Sequence, residues 1–104
     1  MQDAYQSLIL PDVQLMLQEG DTAGLAAFCT VVHPAAVAEI LDELEDDQIW
    51  PILDKAELPV RVEIFEYLSL RRQIGLVEQL DPAKLSELFE WMSADDRVDL
   101  LSRM

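Results

Sequence analysis

The sequence predicts an all-α protein, a right-handed superhelix of short antiparallel helices built from 24-residue helical pairs. Two observations lead to this fold class. Apolar residues recur at the helical spacing i, i+3, i+4, i+7, and no segment alternates strictly as a half-buried strand would. One local phrase also recurs at a constant interval, around Glu39, Glu63 and Glu87. A short unit that cannot bury its own apolar face must stack on its neighbours, so the repeats should form one continuous stack.

The chain begins with two predicted helices separated by a proline. The first should cover residues 2–10 and end at Pro11, because proline lacks the backbone N–H that a helix interior needs. Asp12 has the side chain of an N-cap, and a second helix should run from there to Glu19.

A third helix completes an atypical first unit. Gly20 can adopt the left-handed conformation that ends a helix, and Asp21 can cap the next helix, which should run to about Val32. Residues 11–32 are therefore interpreted as a degraded capping copy of the repeat, since the terminal units of a stack are usually atypical.

Three full repeats follow at residues 33–56, 57–80 and 81–104, each predicted to be an armadillo-like or HEAT-like pair of helices. The first helix of each pair begins at a proline, where the missing N–H costs nothing. The predicted core positions of these helices are Val37, Ile40, Leu41 and Leu44, then Arg61, Ile64, Phe65 and Leu68, then Leu85, Leu88, Phe89 and Met92. Arg61 is the one polar residue in this pattern. Nine short helices are expected in all.

The second helix of each pair should bury two apolar residues, namely Trp50 and Leu53, Ile74 and Val77, and Val98 and Leu101. Ser93 and Asp96 have capping-box spacing, which predicts a last helix over residues 94–103. Pro51 is compatible with its helix if that helix begins near Asp46, since little hydrogen bonding is lost in or just past the first turn.

Composition indicates one domain over residues 1–104, because 104 residues with about half of them apolar suffice for one modest core. No apolar run reaches the roughly 18 residues of a membrane span, and no export signal is visible, so this stretch should be soluble by itself. Cys29 is the only cysteine and lies among apolar residues, which predicts a buried small hydrophobe and excludes an internal disulfide.

The chain is strongly acidic, with a formal net charge of −14. Residues 1–54 hold eleven acids and no Lys or Arg, whereas residues 55–104 hold ten acids and all seven basic residues. Such a field repels nucleic-acid phosphates and attracts cations or basic proteins, which excludes nucleic-acid binding. Catalysis is not expected, because no nucleophile triad or phosphate-binding glycine loop occurs and the single histidine, His33, has the position of a helix cap.

Closely spaced carboxylates follow the start of the first full repeat. Glu39, Glu43 and Asp47 are spaced four apart, as are Asp42 and Asp46, and like charges at this spacing on a helix repel unless a counter-charge is supplied. Mg²⁺ is one possible source, because it prefers oxygen ligands and keeps several waters. Plain solvation of an acidic face or a basic partner are the alternatives.

One aromatic residue lies outside the core pattern. Trp91 lies one residue before a core position, at the place that Glu43 and Tyr67 hold in the earlier repeats. These three equivalent positions form one column of the repeat. That column should be partly exposed, where an aromatic side chain could anchor an adjoining domain.

Four segments occur in an ordered series along the chain: Leu17-Gln-Glu-Gly-Asp-Thr22, His33-Pro-Ala-Ala-Val-Ala-Glu-Ile-Leu-Asp-Glu-Leu44, Val62-Glu-Ile-Phe65 and Ser93-Ala-Asp-Asp-Arg-Val-Asp-Leu-Leu101. Together they resemble the cytosolic N-terminal domain of the MgtE magnesium transporters, from about residue 12 to 104. The resemblance implies a superhelical regulatory domain that precedes CBS domains and a membrane channel. It also implies a location at the cytoplasmic face of the cell membrane, as part of a membrane protein.

The resemblance further implies a set of Mg²⁺ ligands. The acidic positions of the family fall on Glu63 in the second full repeat and on Asp95 and Asp99 in the last helix. Each would give an oxygen ligand, directly or through water, to a weakly bound regulatory Mg²⁺ shared with the CBS domains. In that mechanism Mg²⁺ holds the domains together and the pore shut, and the acidic surfaces separate when Mg²⁺ is scarce. Dimerisation would belong to the full-length transporter.

A second function stays open. The helix start at His33-Pro34 is also similar to the middle domain of the flagellar switch protein FliG, a protein-interaction scaffold. That family usually has Glu-His-Pro-Gln here, whereas this chain has Val32-His33-Pro34-Ala35, which favours MgtE. A free-standing helical-repeat scaffold would show only general screening of its charges by salt, whereas a sensor predicts a specific Mg²⁺ effect.

Overall fold

A computed structural model describes the backbone of residues 2–104 and the side chains from residue 9 onwards. Over these residues the chain forms eight helices and no strand, which confirms the all-α, helical-repeat prediction. The helices are α1 (Gln2–Glu19), α2 (Thr22–Val31), α3 (Pro34–Leu41), α4 (Asp46–Leu53), α5 (Leu58–Tyr67), α6 (Leu70–Val77), α7 (Pro82–Trp91) and α8 (Ala94–Arg103).

The helices form a short stack of two layers. One layer contains α3, α5 and α7, which contact one another in succession, and the other contains α2, α4, α6 and α8 in the same way. α1 packs against both α2 and α3. Each helical pair therefore lies on the next one, as in other helical-repeat proteins, and the stack measures 36 × 28 × 21 Å.

One apolar core runs through the stack. Residues at predicted core positions that are completely enclosed in the first two full repeats include Val37, Ile40, Leu41, Leu53, Ile64 and Phe65. In the last repeat, Leu88 of α7 and Met92, which follows α7, are buried, whereas Leu85 and Phe89 are only partly buried against the core. The core is therefore least enclosed in the last repeat.

The prediction of two helices before Gly20 is wrong. A single helix, α1, continues from Gln2 through Pro11 to Glu19, so Asp12 is not an N-cap and the described chain has eight helices rather than nine. Pro11 removes one backbone donor, and its own side chain is exposed. Val13, two residues later, is completely buried, and its packing favours continuation of the helix.

The predicted helix boundaries elsewhere are confirmed to within a residue or two. Gly20 adopts the left-handed conformation, with φ of 66°, and closes α1. Asp21 caps α2 by accepting a hydrogen bond from the backbone N–H of Gly24 at 2.9 Å. Ser93 caps α8 through the N–H of Asp96 at 3.3 Å, and α8 covers the predicted residues 94–103. Pro51 lies deeper in α4 than the first turn, on an exposed side.

The prediction that Val98 and Leu101 are buried is also wrong. Trp50 is 8% exposed, but Val98, at the same position two repeats later, is 62% exposed. Leu101 is 50% exposed, whereas its equivalents Leu53 and Val77 are 0% and 3% exposed. The earlier residues are covered by the following helical pair, whereas Val98 and Leu101 lie in the last pair that the structure describes. Leu100 is the residue of α8 that is buried instead.

The polar residue in the core pattern, Arg61, has a defined role at a helix end. Its guanidinium donates hydrogen bonds to the carbonyl oxygens of Leu53 at 3.1 Å and Ala56 at 2.8 Å, at the C-terminal end of α4. Gln73 does the same for α5, since its Nε2 donates to the carbonyl oxygens of Phe65 and Leu68. Both side chains satisfy backbone acceptors that a helix C-terminus leaves unpaired.

Candidate functional site

A small acidic cleft lies between α5 and the start of α8. It has a volume of about 260 Å³ and is lined by Glu63, Glu66, Tyr67 and Asp96. Three of these four side chains are carboxylic acids, and none of the described basic residues lines the cleft. Glu63 is one of the three predicted Mg²⁺ ligands, and it is exposed.

A hydrogen bond across the repeats builds this cleft. The Oε2 atom of Glu66 accepts from the backbone N–H of Ser93 at 2.9 Å. In a reciprocal capping box Asp96 would take that N–H, but here only the bond from the Asp96 N–H to the Ser93 Oγ is present. The carboxylate of Asp96 therefore makes no hydrogen bond or ion pair within the described residues and faces the cleft. Sequence reasoning placed Asp96 only as a cap and did not select Glu66.

The other two predicted ligands lie beside the cleft. Asp95 is in the first turn of α8 and Asp99 is one turn later, so both are on one side of the helix, and both are exposed. An acid in the first turn also interacts favourably with the helix dipole, which gives Asp95 a structural role as well. The structure does not place either residue on the lining of the cleft with Glu63.

These acids do not form a closed metal site by themselves. Among the side chains that the structure describes, no three His, Cys, Asp or Glu residues come together in a geometry that could hold a metal ion. The ligand assignment of Glu63, Asp95 and Asp99 stays a prediction, because it requires further ligands from an adjoining domain.

The acidic residues near Asp42 have a counter-charge that the sequence did not reveal. Arg72, in α6, donates from Nη1 to the Asp46 Oδ1 at 2.7 Å and from Nη2 to the carbonyl oxygen of Asp42 at 2.9 Å. Its Nε also lies 3.7 Å from the Asp42 Oδ1. The predicted acidic face is not one helical face, because α3 ends at Leu41 and α4 begins at Asp46. One guanidinium therefore compensates one of the two negative charges of Asp42 and Asp46.

The isolated His, Cys and Trp residues take the structural positions predicted for them. The Nδ1 atom of His33 accepts from the N–H of Ala35 at 3.1 Å, which caps α3. The His33 ring packs edge-on against the ring of Tyr67, with 6.0 Å between the two ring centroids. Cys29 is buried, and burial raises the pKa of its thiol to about 11. Tyr67 and Trp91 are each 53% exposed, as expected for their column, while the anchoring role of Trp91 stays a prediction.

No helix in the described part of the chain combines the length and the hydropathy required to span a bilayer. Comparison with curated proteins and with solved structures finds no match. Comparison with protein families matches residues 32–104 to the MgtE intracellular N domain, a domain type of the cytosolic region of magnesium transporters and not a catalytic family. The match covers the three full repeats, the acidic cleft and all three predicted ligands. The chain therefore belongs to the MgtE intracellular N domain family.

Proposed function

We propose that the chain is the Mg²⁺-sensing arm of a magnesium transporter, which docks on adjoining CBS domains and helps to hold the pore closed when Mg²⁺ is abundant. Membership of the MgtE family supports the transporter context. The finer proposal concerns Glu63, Asp95 and Asp99, whose carboxylates would give oxygen ligands to ions shared across the domain boundary.

The proposal rests on one observation, the carboxylates of α5 and α8 that have no basic side chain beside them in the cleft. In the turn between α3 and α4, Asp42 and Asp46 have Arg72 as a counter-charge. The cleft between α5 and α8 contains Glu63 and Asp96, and no described basic side chain lines it. Two more exposed carboxylates lie on α8, at Asp95 and Asp99. An acidic partner would be repelled from this surface unless a cation lay between them.

The geometry also favours a weak, regulatory ion over a permanently bound one. Mg²⁺ keeps several waters and typically takes only one or two carboxylates from a protein. Exposed acids on two helices can supply that number, and the remaining ligands would come from water and from the partner domain. We therefore expect low affinity in the isolated chain and higher affinity when the partner domain is present.

The experiment is a Mg²⁺ titration of the 104-residue chain, followed by amide NMR shifts and thermal unfolding at constant ionic strength. At a Mg²⁺ concentration equal to Kd, binding to the folded state alone adds about 0.4 kcal/mol of stability. For a domain of this size that corresponds to a rise in Tm of about 2–3 °C beyond the effect of Na⁺. Shifts should be largest in α5 and the first half of α8.

Two variants with the same loss of charge make the test specific. Replacing Glu63→Gln, Asp95→Asn and Asp99→Asn should remove the Mg²⁺-specific shift. The control variant, Asp12→Asn, Glu19→Gln and Glu78→Gln, removes three exposed acids elsewhere and should keep it. Equal effects of Mg²⁺ and Na⁺, or equal losses in the two variants, would contradict metal sensing and favour a helical-repeat scaffold whose charges are merely screened.

A further inference from the structure

The acidic cleft has a counterpart at the preceding junction between repeats. That counterpart lies between the end of α3 and the start of α6, and its volume is about 480 Å³. It is lined by Asp42, Asp46, Ser69, Arg71 and Arg72. The acidic cleft has the same place one repeat later, between the end of α5 and the start of α8. Both clefts lie between described repeats, so neither is open because a neighbouring repeat is missing.

A guanidinium group lies in the preceding cleft. Arg72 donates from Nη1 to the Asp46 Oδ1 at 2.7 Å and from Nη2 to the carbonyl oxygen of Asp42 at 2.9 Å. The cation therefore joins the start of one repeat's second helix to the turn of the repeat before it. This internal contact shows which chemistry such a junction accepts, namely a planar cation that donates in more than one direction.

The acidic cleft has an acid at the position of that arginine. Residue 66 corresponds to residue 42 in the 24-residue repeat, and both are acidic. Asp96 corresponds to Arg72, and each is the third residue of its helix. The later junction therefore has a further carboxylate where the earlier one has its cation. Glu63, Glu66 and Asp96 line the cleft, and no described basic side chain does.

Tyr67 adds a feature that suits a guanidinium. Its side chain lines the acidic cleft and is 53% exposed, although a described repeat follows it. The His33 ring packs edge-on against it, which helps to hold the tyrosine ring in place. A guanidinium can stack on an aromatic ring while it donates hydrogen bonds to carboxylates, a combination that a compact, strongly hydrated ammonium group matches less well.

We propose that the acidic cleft binds the guanidinium group of an arginine in a basic polypeptide segment from outside the described repeats. This arginine supplies the counter-charge that Arg72 supplies one junction earlier. Carboxylates of the cleft accept its hydrogen bonds, and the net charge of −14 on the chain attracts a basic segment. The binding needs no Mg²⁺ and does not rest on the proposed sensing function. Asp96 is not one of the three predicted Mg²⁺ ligands, so its variants test this site separately.

The test is a titration of the 104-residue chain in EDTA with the blocked peptide acetyl-Gly-Arg-Gly-amide, followed by amide NMR shifts at constant ionic strength. We expect saturable shifts centred on Tyr67, Ser93 and Asp96. Binding should be at least about threefold tighter than that of acetyl-Gly-Lys-Gly-amide, because a guanidinium can donate two hydrogen bonds in one plane. Equal affinity for the two peptides would mean general attraction of charge and would overturn the proposal.

Free arginine distinguishes a polypeptide segment from the amino acid as the source of the guanidinium. Its α-carboxylate should be repelled by the acids of the cleft, so free arginine should bind more weakly than the blocked peptide. Tighter binding of free arginine would overturn the assignment to a polypeptide segment.

Matched variants show whether binding depends on this cleft. Asp96→Asn should weaken binding of the arginine peptide about threefold. Asp47→Asn is the control, because Asp47 is also an acid in the first turn of its helix but lines neither cleft. Equal loss of affinity in these two variants would also overturn the proposal.

A third variant supplies the guanidinium from within the chain. Asp96→Arg places an arginine at the helix position that Arg72 has in the preceding repeat. In EDTA it should abolish binding of the arginine peptide and should have a higher Tm than Asp95→Arg, which makes the same change of charge in the same turn. A Tm no higher than that of Asp95→Arg, together with undiminished peptide binding, would contradict the proposed site.

Discussion

Replacement of Arg72 by glutamine should destabilise the protein by about 1–2 kcal/mol, although the residue is not a predicted ligand. The bond from Nη1 to the Asp46 Oδ1 is 2.7 Å long. A charge-assisted bond contributes about 1.5–3 kcal/mol when well buried. The side chains here are 22% and 41% exposed, so solvent screening reduces this to about 1 kcal/mol.

A second hydrogen bond of Arg72 brings the expected destabilisation to the upper part of the range of about 1–2 kcal/mol. Nη2 donates to the carbonyl oxygen of Asp42 at 2.9 Å, which adds about 0.5–1 kcal/mol. Loss of the guanidinium also leaves two carboxylates near each other without a counter-charge. The destabilisation should be largest at low ionic strength and should decrease as salt screens the remaining charges.

The assay is urea unfolding followed by far-UV circular dichroism at low salt. Arg71→Gln is the control, since Arg71 is the adjacent arginine, is exposed, and has no ion pair within the described residues. A double-mutant cycle of Arg72→Gln with Asp46→Asn should give a coupling energy of about 1 kcal/mol. A coupling below about 0.3 kcal/mol, or equal destabilisation by the two arginine variants, would refute the role assigned to this bridge.

Two further expectations concern Cys29 and Gly20. Burial raises the pKa of the Cys29 thiol from 9.0 to about 11, so the native protein should react with iodoacetamide about a hundredfold more slowly near pH 8 than urea-unfolded protein does. Similar alkylation rates in the native and unfolded states would contradict burial of Cys29. Because the thiol ionises first in the unfolded state, Cys29 should also lower the free energy of unfolding as pH rises from about 9 to about 11. Replacing Cys29→Ala should remove that part of the pH dependence. Gly20→Ala should destabilise by about 1 kcal/mol in thermal unfolding, because φ is 66° and the added methyl group meets no atom within 4 Å, so only the backbone cost remains. An unchanged Tm would mean that the turn can relax out of this conformation.

Local sequence signals predicted most helix boundaries because they act over a few residues. Gly20, Asp21 and Ser93 determine where α1, α2 and α8 end or begin, and each makes the backbone or capping interaction expected of it. The proline rule failed at Pro11, where α1 continues and Val13 is completely buried two residues later. Local rules do not contain the packing of Val13 against the rest of the core.

The candidate site was only partly predictable for a related reason. The family resemblance selected Glu63, Asp95 and Asp99, but Glu66 and Asp96 line the cleft because Glu66 takes the N–H that a local capping box would give to Asp96. That exchange joins residues from two different repeats. No spacing within one helix could indicate it.

The sequence by itself determined the all-α class, the 24-residue repeat and the family, because periodicity and capping are properties of short segments and of their recurrence. The tertiary structure decided which apolar and acidic residues remain available at the surface. Burial of a repeat depends on a following neighbour, which leaves Val98 and Leu101 exposed at the end of the stack. Charge compensation likewise depends on contacts between repeats, which is why Arg72 neutralises Asp46 while Glu63 stays unpaired within the described residues.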